Sequence, residues 1–558
     1  MTAGDVSAST ASGSSTESKP ARLTGDDRDS VEHGPGLTSQ RAAAWTFGVY
    51  VAAALPLLLW LGSYRWFFGD EWTFIADRSI ELDDLFRAHN QHWVTLPILV
   101  YRGLYSMFAL HSYWPYQLVV IVLHLTTAVL LRVLMRRASV GPWLATLGAG
   151  AFVLLGAAED NILWAFQIAF VGSLIFGFVQ LLLADHDGPI DRRDWCGLGA
   201  GLLGLMTSGQ APSLVLATGL VCLFRRRWWA AAFHTVPLGV IYLVWFIGTD
   251  VPPVISIDDR AFSVGEYVEW MKDAVAGLFM GLGHFAPFAI AIVVMLVAGA
   301  VTAVRTEGLS NLTRRTAIPT ALLIAVVVSM SAAAPSRFAL GEDQSRSGRY
   351  VGFMAAMTLP ALAVAADALS KRWRWSTPFV AAVFLVPVPY NIATFGDDPV
   401  LTRGNFARIR TYVATLPDHP LVEQVPPWVR PNESLLGQPD MTVGWLLDAE
   451  RRGELPTTTE TINPLLAQLV PIQLGVAAVD DGSPDGLECA DYPTLLAVDP
   501  EVGDRWFFET QAQIAGRSGD GPGTLWLAFE ATEVQVTLPD LHLVIGPAAD
   551  ETTFRLCR

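Results

Sequence analysis

The stretch FFGDEWTFIAD, residues 67–77, sets two carboxylates, Asp70 and Glu71, side by side where an apolar run ends. A carboxylate at such a boundary can take a proton from a hydroxyl. A second acidic pair, Glu159 and Asp160, stands with Gln167 in GAAEDNILWAFQ, again at the junction of two apolar runs. Between them, AHNQHW places His89 and His92 three positions apart, so that a helix would carry both on one face, and adds the ring of Trp93 for stacking. Two histidines fall short of a metal site, which would need a third ligand from Asp70 or Glu159; a divalent ion is compatible with the set, but no metal is predicted. Farther along, SRFALGEDQSRSGRY supplies Arg337, Arg346 and Arg349. Guanidinium forks match phosphate oxygens in pairs, and Arg349 stands where a helix N-terminus adds partial positive charge. The combination suits proton removal near an anionic leaving group.

These residues are held by a chain that belongs in a membrane. Of 558 residues 52% are hydrophobic and only 16% charged, which argues against a soluble enzyme. A hydrocarbon core of about 30 Å needs about 20 apolar residues per helix. On that measure eleven spans are expected, near 43–64, 115–135, 141–158, 166–184, 196–208, 211–224, 228–247, 276–304, 316–334, 350–369 and 376–394. The pair at 196–224 is read as two short helices meeting at SGQAP. Only that reading brings the arginine clusters RVLMRR, DRRDW, FRRRWW, VRTEGLSNLTRR and SKRWRW to one side, which the positive-inside rule makes cytoplasmic. The N-terminus is then inside, the C-terminus outside, and all the candidate residues face outward. The first outer loop, 65–114, contains WVTLPILVYRGLYSMFAL, broken by Pro97 and Arg102 and read as lying along the membrane surface.

The two ends differ from the middle. Residues 1–42 are rich in Ser, Thr, Gly and Asp and lack an apolar stripe, as a disordered cytoplasmic tail would, and no secretory signal fits. From 396 to 558 the pattern turns to Pro, Gly, Asp and short alternating strands, a separate extracytoplasmic α/β or β-rich domain. It holds 10 Arg against 25 Asp plus Glu, or −15 of the chain's −16. That sign argues against nucleic acid or anionic lipid as its partner. Cys489 and Cys557 lie in this region, and an exported location would let them pair as a disulfide that ties down the last residues.

An acidic residue just past the first helix, a long first outer loop, a second acidic site at the next outer loop and a C-terminal exported domain together resemble the GT-C glycosyltransferases. The resemblance covers roughly residues 43–394 as an arrangement; the shared motif, GDE, is short. It implies a mainly α, polytopic bundle that transfers a sugar from a polyprenyl-phosphate donor, with inversion, to an envelope glycan, lipid or protein on the outer face of the plasma membrane. It further implies that Asp70 is the general base and that Glu71 orients it or holds acceptor hydroxyls. Glu159, Asp160 and Gln167 would line the same cavity, His89, His92 and Trp93 would contact sugar or phosphate, and the three arginines would bind the donor phosphate.

Each residue also has a plainer structural use: interfacial charge at a helix end, helix capping by Asp160 or Asn161, or ion pairs from the arginines to Glu342 and Asp343. The rival class is a polytopic transporter or lipid-linked-sugar flippase, for which the break at MTSGQAP is the relevant feature. No Walker loop, GxGxxG or Ser-His-Asp set appears in a suitable context, so nucleotide-driven transport has no support.

Overall fold

The computed structural model describes residues 37–249, 262–338, 341–397, 402–431, 440–459, 470–478, 489–492, 495–518, 527–539, 541–547 and 554–557. The expected tail lies outside these residues up to position 36; from Leu37 the chain is already helical.

Among the described residues eight helices are long and apolar enough to cross a membrane: Thr38–Leu61, Trp114–Arg137, Ala165–Ala184, Trp228–Gly248, Ala286–Thr306, Arg315–Arg337, Gly348–Arg372 and Arg374–Ala393. The remaining expected spans depart from that form. The third is a bent pair, Pro142–Val153 and Gly156–Leu163, turned by 54°. The turn packs tightly against Asn391: the Asn391 side-chain oxygen accepts from the Ala157 N–H at 3.2 Å, and a Cβ on Gly156 would stand 1.9 Å from the Asn391 carbonyl. The fifth and sixth are Arg192–Leu205 and Ala211–Arg225, of 14 and 15 residues. At 1.5 Å per residue each reaches only about 21–23 Å, short of a full crossing. Eleven expected spans thus become eight full-length helices, one bent pair and two short helices that meet at Thr207–Gln210. A further helix, Val264–Gly283, precedes the span expected at 276–304, which begins only at Ala286.

Gly348–Arg372 is the centre of the bundle, its apolar residues enclosed on every side. Its run of Ala and Gly lets neighbours approach closely, and a Cβ on Gly299 would lie only 2.5 Å from Ala365. One face of the bundle carries the basic clusters, with several of their side chains tied to buried carboxylates: Arg315 and Lys371 to Asp367, Arg137 and Arg225 to Asp185, Arg226 to Asp194. The other carries the loop from Gly62 to Tyr113, the turn at Thr207–Gln210 and the start of the central helix, linked by the contacts described below.

Within that loop, Thr95–Phe108 is an amphipathic helix of 14 residues that buries Ile98, Tyr101 and Tyr105 and exposes Leu99, Val100 and Met107. Residues 402–459 share the main hydrophobic core with the bundle, through the helices Arg403–Thr415 and Val443–Arg451. The sheet that follows has its own core. Its strands, all paired antiparallel, are β1 (Val476–Ala478), β2 (Cys489–Tyr492), β3 (Leu496–Val498), β4 (Arg505–Ser518), β5 (Leu527–Val536), β6 (Leu541–Pro547) and β7 (Phe554–Cys557). The spatial order is β1-β5-β4-β6-β3, with β7 joining β4 to β2. Cys489 and Cys557 face each other across β2 and β7 and are joined as a disulfide.

Candidate active site

Asp70 follows Gly69, whose φ of 61° lies in the left-handed region that a side chain disfavours. The turn it makes leaves the Asp70 side chain 20% exposed, at the surface of the loop. The Asn90 amide stands 3.5 Å from Asp70 Oδ1 and also donates to His89 Nε2 at 3.2 Å. Burial raises the Asp70 carboxyl above its ordinary range. The charges of Arg349 and Arg337 and the Asn90 hydrogen bond pull it down, and Asp440 pushes it up. Such a carboxylate is more basic than one in water and remains reachable.

Glu71, its neighbour, points the other way and is fully buried. Its carboxylate accepts from the Phe68 N–H at 2.8 Å, the Tyr101 hydroxyl at 2.6 Å and the Tyr113 hydroxyl at 3.0 Å. Burial pushes its pKa up to about 7 against these donors. Tyr113 in turn accepts from the Ala165 N–H at 2.9 Å. Glu71 therefore ties the GDE turn to the amphipathic helix and to the second acidic segment. Phe67 wedged against Tyr113 and Tyr116 completes the brace.

The histidines do not share a helix face. His89 and His92 exchange backbone hydrogen bonds at 3.0 and 2.8 Å across a two-residue turn whose central residues, Asn90 and Gln91, have φ of 45° and 67°. Positive φ at both positions is the primed hairpin turn, which Asn favours. The turn throws the two rings onto different neighbours. His89 packs on Phe74 and Phe166, 3.8 Å from Asp70, and burial holds its pKa near 4, so the ring is neutral. His92, lowered to about 3 by burial, accepts at Nδ1 from the Gly209 N–H at 3.2 Å. That bond places the ring proton on Nε2, and Nε2 lies 3.4 Å from Nη2 of Arg337. Two donors therefore converge, and a single anionic oxygen can accept from both.

They converge at the head of a cavity of about 380 Å³ that runs between helices. Its walls include Tyr242, Phe246, Val328 and Ala332, with Ser213 and Ser329 among them. Arg337 also donates to the Asn90 carbonyl at 3.1 Å, so Asn90 joins Asp70 on one side to the cavity mouth on the other. Arg349 donates to Gln344 at 2.8 Å, and its charge depresses both Asp70 and His92. Gly209 sits so close to His92 that a Cβ would stand 2.3 Å from Nδ1. Gly209→Ala is therefore expected to displace the imidazole and cost about 1–3 kcal/mol, as overpacking does; a thermal melt of the purified protein measures it.

The other candidates are placed elsewhere. Trp93 is buried, stacked on Trp245 with centroids 5.5 Å apart and planes at 8°, so its faces are covered. Glu159 pairs with buried Arg65 and accepts from the Gly396 N–H at 2.9 Å. Asp160 lies beneath the start of the central helix, where a Cβ on Gly348 would be 3.1 Å from its Oδ2. Gln167 is fully buried, and neither of its amide atoms has a hydrogen-bond partner among the described residues. Arg346 pairs with Asp273 at 2.7 Å. The side chains of Glu342 and Asp343 lie outside what is described. Among the described residues one acidic-histidine group has ligand atoms within 4.8 Å of one another, His186, Asp191 and Asp194. It is on the arginine-rich face, with Arg226 and His234 already bonded to Asp194.

Sequence reasoning missed Asn90 and Asp440. Asp440 accepts from the Thr73 hydroxyl and pairs with Arg430 at 3.6 Å. It raises both Asp70 and Asp77, so the C-terminal segment contributes charge to this site. Beside it a cavity of about 470 Å³ opens between the first loop and the Val443–Arg451 helix, with Asp77, Arg102, Tyr105, Trp445, Arg452 and Glu454 on its walls. Asn90 had a legible signal, since Asn is a favoured residue at positive φ; Asp440 had none.

No family model matches the sequence, and no curated protein does. Two solved structures are similar to the chain. The crystal structure of ArnT from Cupriavidus metallidurans bound to undecaprenyl phosphate is 17% identical, with 73% of this chain and 85% of that one covered and a TM-score of 0.45. The same protein in the apo state is 13% identical, with 78% and 89% covered and a TM-score of 0.32.

Proposed function

We propose that this chain is a membrane glycosyltransferase that moves a sugar from a polyprenyl-phosphate donor to an acceptor hydroxyl of the cell envelope, on the extracytoplasmic face and with inversion. The observation that carries the reading is the Asn90 bridge. It sets a carboxylate of raised basicity, Asp70, beside two donors suited to one phosphate oxygen, His92 and Arg337, at the mouth of an apolar-walled cavity. Asp70 takes the proton of the acceptor hydroxyl as its oxygen attacks C1 from the side opposite the phosphate. The C1–O bond breaks, and the polyprenyl phosphate leaves with the bonding pair. His92, Arg337 and Arg349 meet the charge that develops on it. The cavity beside Trp445 is the acceptor's approach. The arginine-rich face lies opposite, and the positive-inside rule supports putting the site outside, with the N-terminus in the cytoplasm. No metal is required by this scheme.

The donor-binding claim is tested by Arg337→Gln and Arg349→Gln, singly and together. Ground state and transition state both carry the phosphate charge, the second more of it. Donor affinity is expected to fall in each variant and transfer rate to fall further, most in the double variant. Unchanged donor affinity in the double variant would reassign both arginines to structural pairing. The bent pair at 142–163 and the short helices at 192–225 are features a transporter also uses. That reading expects transport of the lipid-linked sugar by proteoliposomes with no sugar transferred.

A further inference from the structure

A third cavity, of about 600 Å³, shares no lining residue with the one at His92 among the described residues. It lies between the end of the first span (Leu59), the loop residues that follow it (Gly62, Tyr64, Arg65), the start of the next span (Trp114) and the helix Arg403–Thr415. Arg65, Arg403, Arg410 and His111 line it, and among the described residues no Asp or Glu does, although residues 396–558 carry 25 acidic against 10 Arg side chains. Cationic lining is therefore a local choice against the charge of the region.

Arg65 forms the inner wall. Its side chain is 1% exposed, Nη2 is paired with Glu159, and Tyr64 and Asp160 also act on the guanidinium. The cations that open into the cavity are therefore Arg403 and Arg410. Arg403 is exposed and lies over the Tyr64 ring at 5.3 Å, while exposed Arg410 donates to the Thr457 carbonyl at 3.4 Å. The position fixes the source of the anion. Trp60 and Trp114, 70% and 55% exposed at the ends of the two spans, mark the level of the lipid headgroups, and Leu59 continues the wall toward the apolar side.

We propose that this cavity binds the phosphate of an anionic bilayer lipid on the same face as Asp70, with Arg403 and Arg410 as its partners. The site would hold the first loop and the Arg403–Thr415 helix against the membrane. It is independent of the glycosyltransferase reading, since lipid binding is read without turnover.

The test is native mass spectrometry of the full-length protein in detergent, titrated with phosphatidylglycerol. Arg403→Gln/Arg410→Gln removes two exposed charges and leaves the buried Arg65 pair intact. At about 1 kcal/mol per basic residue its phosphatidylglycerol affinity is expected to fall roughly thirtyfold. Arg192→Gln/Arg193→Gln, the same charge change on the opposite face, is expected to leave that affinity within about twofold. Equal weakening in the two double variants, or none in the first, overturns the site. Complete displacement of the lipid from wild type by millimolar inorganic phosphate also overturns it, because free phosphate would then be the occupant.

Discussion

Asp70→Asn is expected to slow sugar transfer by about 10²- to 10⁴-fold, the usual range for a general base, with donor affinity near that of the wild type. The amide keeps the shape of the side chain and its contact with Asn90 but cannot take a proton. The pH profile gives a second readout. Burial raises the Asp70 carboxyl, and the base must be unprotonated to act. Activity therefore falls as pH drops through that raised pKa, on a limb lying above the ordinary aspartate value of about 3.9. The limb disappears in the Asn variant. His92 does not produce it, because it remains neutral down to about 3. A variant that transfers at the wild-type rate would remove Asp70 from the mechanism.

The largest effect on stability is expected at Glu71. Glu71→Leu fills the site but leaves the Phe68 N–H and the hydroxyls of Tyr101 and Tyr113 buried without their acceptor. At about 1–3 kcal/mol for each orphaned group the loss reaches several kcal/mol, enough to unfold the loop that carries Asp70. Yield from membranes and the thermal midpoint of purified protein should both drop, and transfer with them. The wild-type residue also makes stability depend on pH. Its folded-state pKa, about 7, lies above the unfolded value near 4.5. The folded form thus holds a proton that the unfolded form has released. This contribution is fully present below about 4.5 and is lost as pH rises through 7. A Leu variant as stable as the wild type would show that the three donors find other partners.

Hydropathy made the spans legible because the need for about 20 apolar residues is imposed by the bilayer and not by any neighbour. The bend at Leu154–Gly156 escaped it, for Asn391 lies more than two hundred positions away. The shortness of 192–205 and 211–225 was visible in the residue count, and the arginine clusters were enough to separate the two helices. The sequence puts three late arginines on the same side as Asp70, but no local pattern says which of them meets the first loop. Arg346 finds Asp273 and Arg337 finds His92, choices made by packing. The spacing of three between His89 and His92 fits a helix face and the ends of a two-residue turn equally well. The Asn at position 90 is the one local cue that distinguishes them. Trp93 had the composition of a stacking platform, but its partner is Trp245, across a distance in sequence that no local pattern spans.

The most direct test of the central claim is an experimental density for a non-hydrolysable polyprenyl-phosphate sugar bound to the full-length protein. The account predicts phosphate oxygens within hydrogen-bond reach of His92 Nε2 and Arg337, C1 of the sugar turned toward Asp70, and the polyprenyl chain entering the cavity between Tyr242 and Val328. Density for the phosphate on the arginine-rich face, at Arg225–Arg227, or a headgroup turned away from Asp70 would contradict it.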